Sequence, residues 1–155
     1  MNAVFAILAV QALLGGFDNL WHLPAPPEQV YAALADVERY GRWWPQIREV
    51  NRIDRDSGRV RIRSMLPYTL ELVLTRAVQD EARGILRVMV AGDLQGWCAW
   101  QLSAEGAGTR AQFSQEVQVT APVLQRAPFA IRPLLRGNHA HMMRSGERGL
   151  RGYLP

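Results

Sequence analysis

The sequence predicts an α+β domain in which a strongly curved antiparallel β-sheet wraps around a long C-terminal α-helix, with two short helices after the first strand. Three observations predict it. Alternation of apolar and polar residues with period two recurs through the middle of the chain, broken by tight-turn signals. A short run with helical spacing stands near the start, and a long amphipathic run of period 3.6 ends the chain. One helix cannot fill so deep a curved sheet, so the architecture implies an internal apolar cavity.

A chain of 155 residues suits one domain with a substantial core. With 48% apolar and 21% charged residues it reads as globular. Its single cysteine, Cys98, excludes an internal disulfide, and no paired Cys/His spacing suggests zinc. A reducing, cytoplasmic setting is the simplest reading. The formal charge is +4, and all 18 basic residues are arginine. They are scattered, alternate with apolar residues and stand near Asp or Glu, with no basic run interleaved with aromatics. That pattern argues for compositional bias and against a nucleic-acid partner.

Residues 1–16 stand apart from a single ligand-binding domain expected over 17–155. Ala3 to Leu14 is apolar on all sides apart from Gln11, and Gly15-Gly16 ends it. It is too short to cross a bilayer, which takes roughly 20 apolar residues, and it lacks the basic start of a signal peptide. A packed helix is the preferred reading. A weak membrane-surface contact through residues 3–14 and an extension from a misplaced start codon are the alternatives.

Phe17 to Leu23 suits a first strand. Pro24-Ala-Pro-Pro27 ends it, and Pro27 fits the first turn of a helix in which Val30, Tyr31, Leu34 and Val37 recur at helical spacing. Asp36 is placed to cap a second short helix ending near Gly41, and Trp43-Trp44-Pro45 closes the unit. Asp56-Ser57-Gly58 signals a hairpin turn before the alternating strand Arg59 to Arg63. Leu70, Leu72 and Leu74 mark the next strand, then Ile85 to Ala91 after the Ala82-Arg83-Gly84 turn, Trp97 to Ser103, and Arg110 to Val119 after Glu105-Gly-Ala-Gly108. Short strands joined by tight turns indicate a meander. Pro122 starts a turn of helix that Pro128 and Pro133 interrupt. From about Leu134 to Gly152 a helix carries Leu135, His139, Met142, Met143, Gly146, Leu150 and Tyr153 on its apolar stripe.

The segment PAPPEQVYAALADVERYGRWWPQIREV resembles the opening of the START-like superfamily, which includes Bet v 1-type and polyketide cyclase/dehydrase proteins. The matching residues are the prolines after the first strand, Val30, Tyr31, Asp36, Tyr40 and Trp43-Trp44-Pro45. Gly108-Thr109 before a strand, Trp100 in the strand before it, and the ending NHAHMMRSGERGLRGYL are also similar to this superfamily, the ending to a bacterial subgroup labelled polyketide cyclase. The resemblance spans roughly residues 17–154. It implies the helix-grip fold and its cavity, but no reaction, because members include carriers, receptors and enzymes.

In that fold the concave sheet face and the long helix enclose the ligand. The expected lining is Trp43, Trp44, Ile62, Leu72, Val88, Trp100, Phe113, Gln115, Asn138 and Met142, a mainly apolar wall with a few polar groups. Of the two tryptophans, one is expected in the core and one over the sheet edge. In the last strand Phe113 and Val117 set the phase, so Gln115 faces inward and Glu116 outward. His139, on the apolar stripe, is a candidate general base. A core histidine with a satisfied hydrogen bond is the plainer reading, and the catalytic set is otherwise unassigned. His22 has no evident partner, Asp93 beside Gly92 belongs to a turn, and the three dispersed histidines argue against a metal. No Ser-His-Asp set, phosphate loop or dinucleotide fingerprint is present, and no cofactor is called for.

These features favour binding or carriage of a hydrophobic small molecule, such as a lipid, isoprenoid or polyketide. The alternative is a polyketide cyclase or aromatase acting in the same cavity with His139, Asn138 and Gln115. Either would work as a monomer or homodimer.

Overall fold

The computed structural model describes residues 17–63, 68–120 and 132–155; for residues 17, 18, 119 and 132–136 it describes the backbone alone. The expected N-terminal helix over 3–14, the turn of helix at Pro122 and the interruption at Pro128 lie outside these residues.

Among the described residues, seven strands form one antiparallel sheet. They are β1 (Phe17–Leu23), β2 (Ile47–Arg52), β3 (Ser57–Ile62), β4 (Leu70–Asp80), β5 (Ile85–Gly92), β6 (Leu94–Glu105) and β7 (Gly108–Val119). Their spatial order is β1-β7-β6-β5-β4-β3-β2, so every neighbour except β1 is also the neighbour in sequence. Helix α1 (Pro27–Ala35) and a 3-10 turn (Val37–Arg42) follow β1, and helix α2 (Arg132–Tyr153) ends the fold. This is the helix-grip arrangement, with α2 in the concavity and α1 covering parts of β6 and β7.

Within the described residues the expected strands and helices are present, most with longer bounds, and with three differences. Strand β2 is not marked in the sequence. It is an edge strand, and of its residues only Ile47 is buried, so Ile-Arg-Glu-Val-Asn-Arg lacks the apolar alternation that reveals a half-buried strand. The β2–β3 turn lies at Asp54-Arg55-Asp56, two residues earlier than Asp56-Ser57-Gly58. Asp54 Oδ1 accepts from the backbone N–H groups of Asp56 and Ser57, both at 2.8 Å, while Ser57 and Gly58 already pair with β4. This side-chain mimic of a turn is a common use of Asp. The second short helix is a 3-10 turn, and Asp36 makes no side-chain cap there; its carboxylate instead meets Arg39 at 3.0 Å.

Two glycines let the sheet coil. Gly96, at φ +150°, lies so close to β7 that a Cβ would stand 1.9 Å from the Glu116 carbonyl oxygen. At Gly92, φ +104°, a Cβ would stand 2.5 Å from the Glu71 carbonyl oxygen. Only glycine tolerates such approach at these angles. Asp93 then ties the sheet end together: Oδ2 accepts from Glu71 N–H at 2.9 Å and Tyr68 O–H at 3.3 Å, and its carbonyl accepts from Thr120 N–H at 2.9 Å. It is a turn residue, in line with its place beside Gly92. At the other end the Gly108-Thr109 pair acts similarly. A Cβ on Gly108 would lie 2.3 Å from the Leu23 carbonyl oxygen, and the buried Thr109 hydroxyl donates to the Ala25 carbonyl at 2.7 Å.

The core is aromatic. Trp21 on β1 meets Trp100 on β6 at 4.6 Å and Trp44 at 5.5 Å between ring centroids, and Trp100 meets Phe113 on β7 at 4.9 Å. Buried rings of this size and tilted geometry contribute strongly per residue. Against them α2 presents His139, Met143, Gly146 and Leu150, all buried. Leu135 of the expected stripe has no described side chain. Tyr153, also expected there, is 40% exposed; Leu154, beyond the helix end, packs on the core in its place. Leu154 stands four residues after the buried Leu150 and its N–H donates to the Leu150 carbonyl at 2.9 Å, so the helical period carries Leu154 inward just past Tyr153.

Candidate functional site

The inward faces of β3 to β7 and one side of α2 enclose a cavity of about 380 Å³. That volume lies in the range of pockets that hold a small organic ligand. Each strand contributes alternate residues, so a single phase per strand fixes the wall: Val60 and Ile62, Leu70 to Leu74, Leu86 to Val90, Cys98 and Trp100, Phe113 to Val117.

The structure brings nine of the ten expected lining residues to this wall: Trp44, Ile62, Leu72, Val88, Trp100, Phe113, Gln115, Asn138 and Met142. His139 joins them. Trp43 does not. It is 4% exposed and packs away from the cavity, with Tyr40 at 4.8 Å and Trp44 stacked at 5.3 Å between centroids. Adjacent residues on an irregular segment point differently, and the backbone of Trp43 is pinned against α2 at Gly149. Neither tryptophan covers the sheet edge, since Trp44 is only 6% exposed. Trp44 is instead anchored, its indole Nε1–H donating to the Met142 carbonyl of α2 at 2.9 Å.

The wall residues that sequence reasoning missed include Tyr40, Tyr68, Leu74, Val90, Cys98 and Val117. Four of these were available from period two: Leu74 follows Leu72, Val90 follows Val88, Cys98 precedes Trp100 and Val117 follows Gln115. The rim was not available. It is formed by exposed or half-exposed charged residues of the 3-10 turn, the β2–β3 hairpin and β4, and only the fold brings these together.

Burial keeps the titratable groups of the deep wall uncharged. It pushes the Cys98 thiol up to about 12 and raises the Tyr40 phenol well above its ordinary value. The Tyr40 hydroxyl donates to the Leu34 carbonyl. Burial lowers His139 from its ordinary 6.5, because an imidazolium there would lose its hydration. Of the carboxylates that reach the cavity, Glu38 and Asp56 have side chains more than half exposed at the rim, and that of Asp36 is 37% exposed. Among the described residues no group of three or more His, Cys, Asp or Glu is arranged to hold a metal. No described helix is long and apolar enough to cross a membrane.

His22 is far from this site. It has the partner that sequence did not show: Nδ1 lies 2.7 Å from Glu105 Oε1, because antiparallel β1 and β7 bring the β6–β7 turn beside it.

His139 carries a prediction. Its proton affinity is lower in the folded state, so below pH 6.5 the unfolded chain binds more protons. Stability is therefore fully present above that value and is lost as pH falls toward the depressed folded pKa. The contribution is at most about 1.4 kcal/mol per pH unit. Denaturant melts of the wild type and His139→Gln at pH 7.5 and 5.5 measure it. The wild type is expected to lose more stability than the variant between these values; parallel losses would show that His139 is not held neutral.

Residues 23–136 match the model of the family described as polyketide cyclase / dehydrase and lipid transport. Comparison with curated protein sequences gave no match. Among solved structures, the Zhui aromatase/cyclase from Streptomyces sp. R1128 is similar with a TM-score of 0.75 at 16% identity, over 89% of this chain and 92% of that one. A START superfamily protein from Mycobacterium smegmatis gives 0.72 at 15% identity, over 90% and 96% of the two chains. The protein TTHA0849 from Thermus thermophilus gives 0.69 at 20% identity, over 88% and 98%. At these identities the likeness is one of fold.

Proposed function

This chain belongs to the polyketide cyclase / dehydrase and lipid transport family, and from that premise we propose that residues 17–155 bind and carry a hydrophobic small molecule of lipid, isoprenoid or polyketide type without converting it. The observation that carries this reading is the deep wall. It is built from apolar and aromatic side chains, and the cysteine, tyrosine and histidine on it are all held in their neutral forms. Such a wall favours transfer of apolar surface out of water at roughly 25 cal/mol per Å². It offers little of the acid and base pairing that an enolisation or dehydration step requires.

A second reading, a cyclase or aromatase, is supported by one arrangement: His139, Asn138 and Gln115 all reach the cavity. They would supply a base and two amides for holding a carbonyl. His139 is a weakened base there, which places this reading second.

One experiment addresses both. Native mass spectrometry of the purified protein, followed by solvent extraction and identification of what is released, is expected to return an apolar molecule at up to one per chain. Re-incubating that molecule with the protein is expected to leave it chemically unchanged. Turnover would favour the cyclase. Repeated recovery of a polar metabolite, or failure to bind any apolar compound offered, would sink the carrier reading.

A further inference from the structure

The rim adds something that the apolar wall alone does not give. Four carboxylates reach the cavity there: Asp36, Glu38, Asp54 and Asp56. Two of the four arginines that reach it are paired with these carboxylates. Arg52 Nε lies 2.7 Å from Glu38, Arg76 faces Asp56 at 3.7 Å, and the guanidinium of Arg87 lies 4.3 Å over the Trp97 ring. Arg55 stands between Asp54 and Asp56 in the hairpin. Below the rim no Arg or Lys lines the cavity among the described residues; the polar groups are the amides Gln115 and Asn138, the imidazole of His139, and the hydroxyls of Tyr40 and Tyr68.

We propose that the cavity takes neutral apolar molecules and discriminates against the same skeleton bearing a carboxylate or phosphate. An anionic group inside would leave water for a wall that offers it no counter-charge, and isolated ions are the costliest groups to bury. An anionic group left at the rim would meet four carboxylates against four arginines, two of them already paired, in an exposed setting where water and salt screen what attraction remains. A hydroxyl or ketone has no such difficulty, because it carries no charge that the wall would have to compensate. This selectivity rests on the carrier reading and narrows it: a neutral lipid, alcohol or ketone fits, and a free fatty acid or a lipid phosphate does not.

The test uses the full chain, a fluorescent apolar probe, and a matched pair of competitors, dodecanol and dodecanoate, at pH 8 and concentrations below micelle formation. Dodecanol is expected to displace the probe at least about tenfold more tightly than dodecanoate. In the double variant Glu38→Gln, Asp56→Asn the rim loses two carboxylates and frees two arginines. Both positions are more than half exposed, so folding is unaffected. Dodecanoate is then expected to bind about two- to fivefold more tightly, as for exposed charge pairs, with dodecanol unchanged. Asp54 is left intact because its carboxylate forms the hairpin turn. Equal or tighter binding of dodecanoate by the wild type would overturn the selectivity while leaving the carrier reading standing. No difference in dodecanoate binding between wild type and double variant would overturn the role given to the rim. Displacement by neither competitor, with no probe bound, would remove the carrier reading and this inference with it.

Discussion

Replacement of Gly149 by alanine is expected to cost the fold about 3 kcal/mol, the upper end of what overpacking does. At Gly149 α2 meets the segment after the 3-10 turn backbone to backbone. A Cβ there would stand 1.6 Å from the Trp43 carbonyl oxygen and 2.8 Å from its carbon. Peptide atoms cannot rotate aside as a side chain does, so the helix itself must lift. One turn earlier, a Cβ on Gly146 would stand 2.6 Å from Trp44 Cε2 and 2.9 Å from the Trp21 ring. The two glycines therefore set how deeply α2 sits against the tryptophans. A lifted helix would also break the Trp44 indole bond to the Met142 carbonyl. Urea denaturation of Gly149→Ala measures the loss, with Gly152→Ala as control on the same helix. Nothing lies within 4 Å of the position a Cβ would take at Gly152, so the control is expected to stay within about 0.5 kcal/mol of wild type. Equal stability of the two variants would mean that α2 does not dock at Gly149 as described.

That contact also shows where sequence reading stops. The phase of each strand was legible because solvent and core impose period two on every half-buried strand. Choosing Gln115 over Glu116 from Phe113 and Val117 needed nothing more, and Gln115 is buried. The stripe on α2 was legible through His139, Met143, Gly146 and Leu150 for the same reason at period 3.6. Gly146 looked like a stripe position, but its reason lies in Trp44 and Trp21, more than 100 residues away in the chain. Gly149 falls outside the apolar pattern altogether, since the carbonyl it accommodates has no counterpart in local periodicity. Trp43 failed likewise, because two adjacent aromatics on an irregular segment have no period to divide them. Strand β2 was silent for the opposite reason: as an edge strand it buries too little to need an apolar face. The charged rim was least legible, since Glu38, Arg52 and Asp56 look like ordinary surface residues until the 3-10 turn and the hairpin stand at one cavity mouth.

Filling the cavity from within is expected to abolish binding without unfolding the protein. Val88 is suited to this because it points into the cavity from β5, near the middle of the sheet, and is only partly buried. A tryptophan there has a cavity of about 380 Å³ to extend into, whereas the same change in a filled core would force neighbours off their rotamers. The added ring also buries apolar surface that an empty cavity leaves without partner atoms, which offsets the strain of fitting it. Val88→Trp should therefore melt within a few degrees of wild type, yet bind an apolar probe at least about a hundredfold more weakly, because ring and ligand compete for one volume. Calorimetric binding alongside a thermal melt separates the two effects. A large loss of melting temperature would mean that the space near Val88 is already filled by protein. Undiminished binding in a stably folded variant would move the ligand out of the space beside Val88, since ring and ligand cannot occupy one volume. The outcome matters for the function as much as for the fold. A wall that tolerates a new tryptophan with its stability intact is one with room for a guest of comparable size.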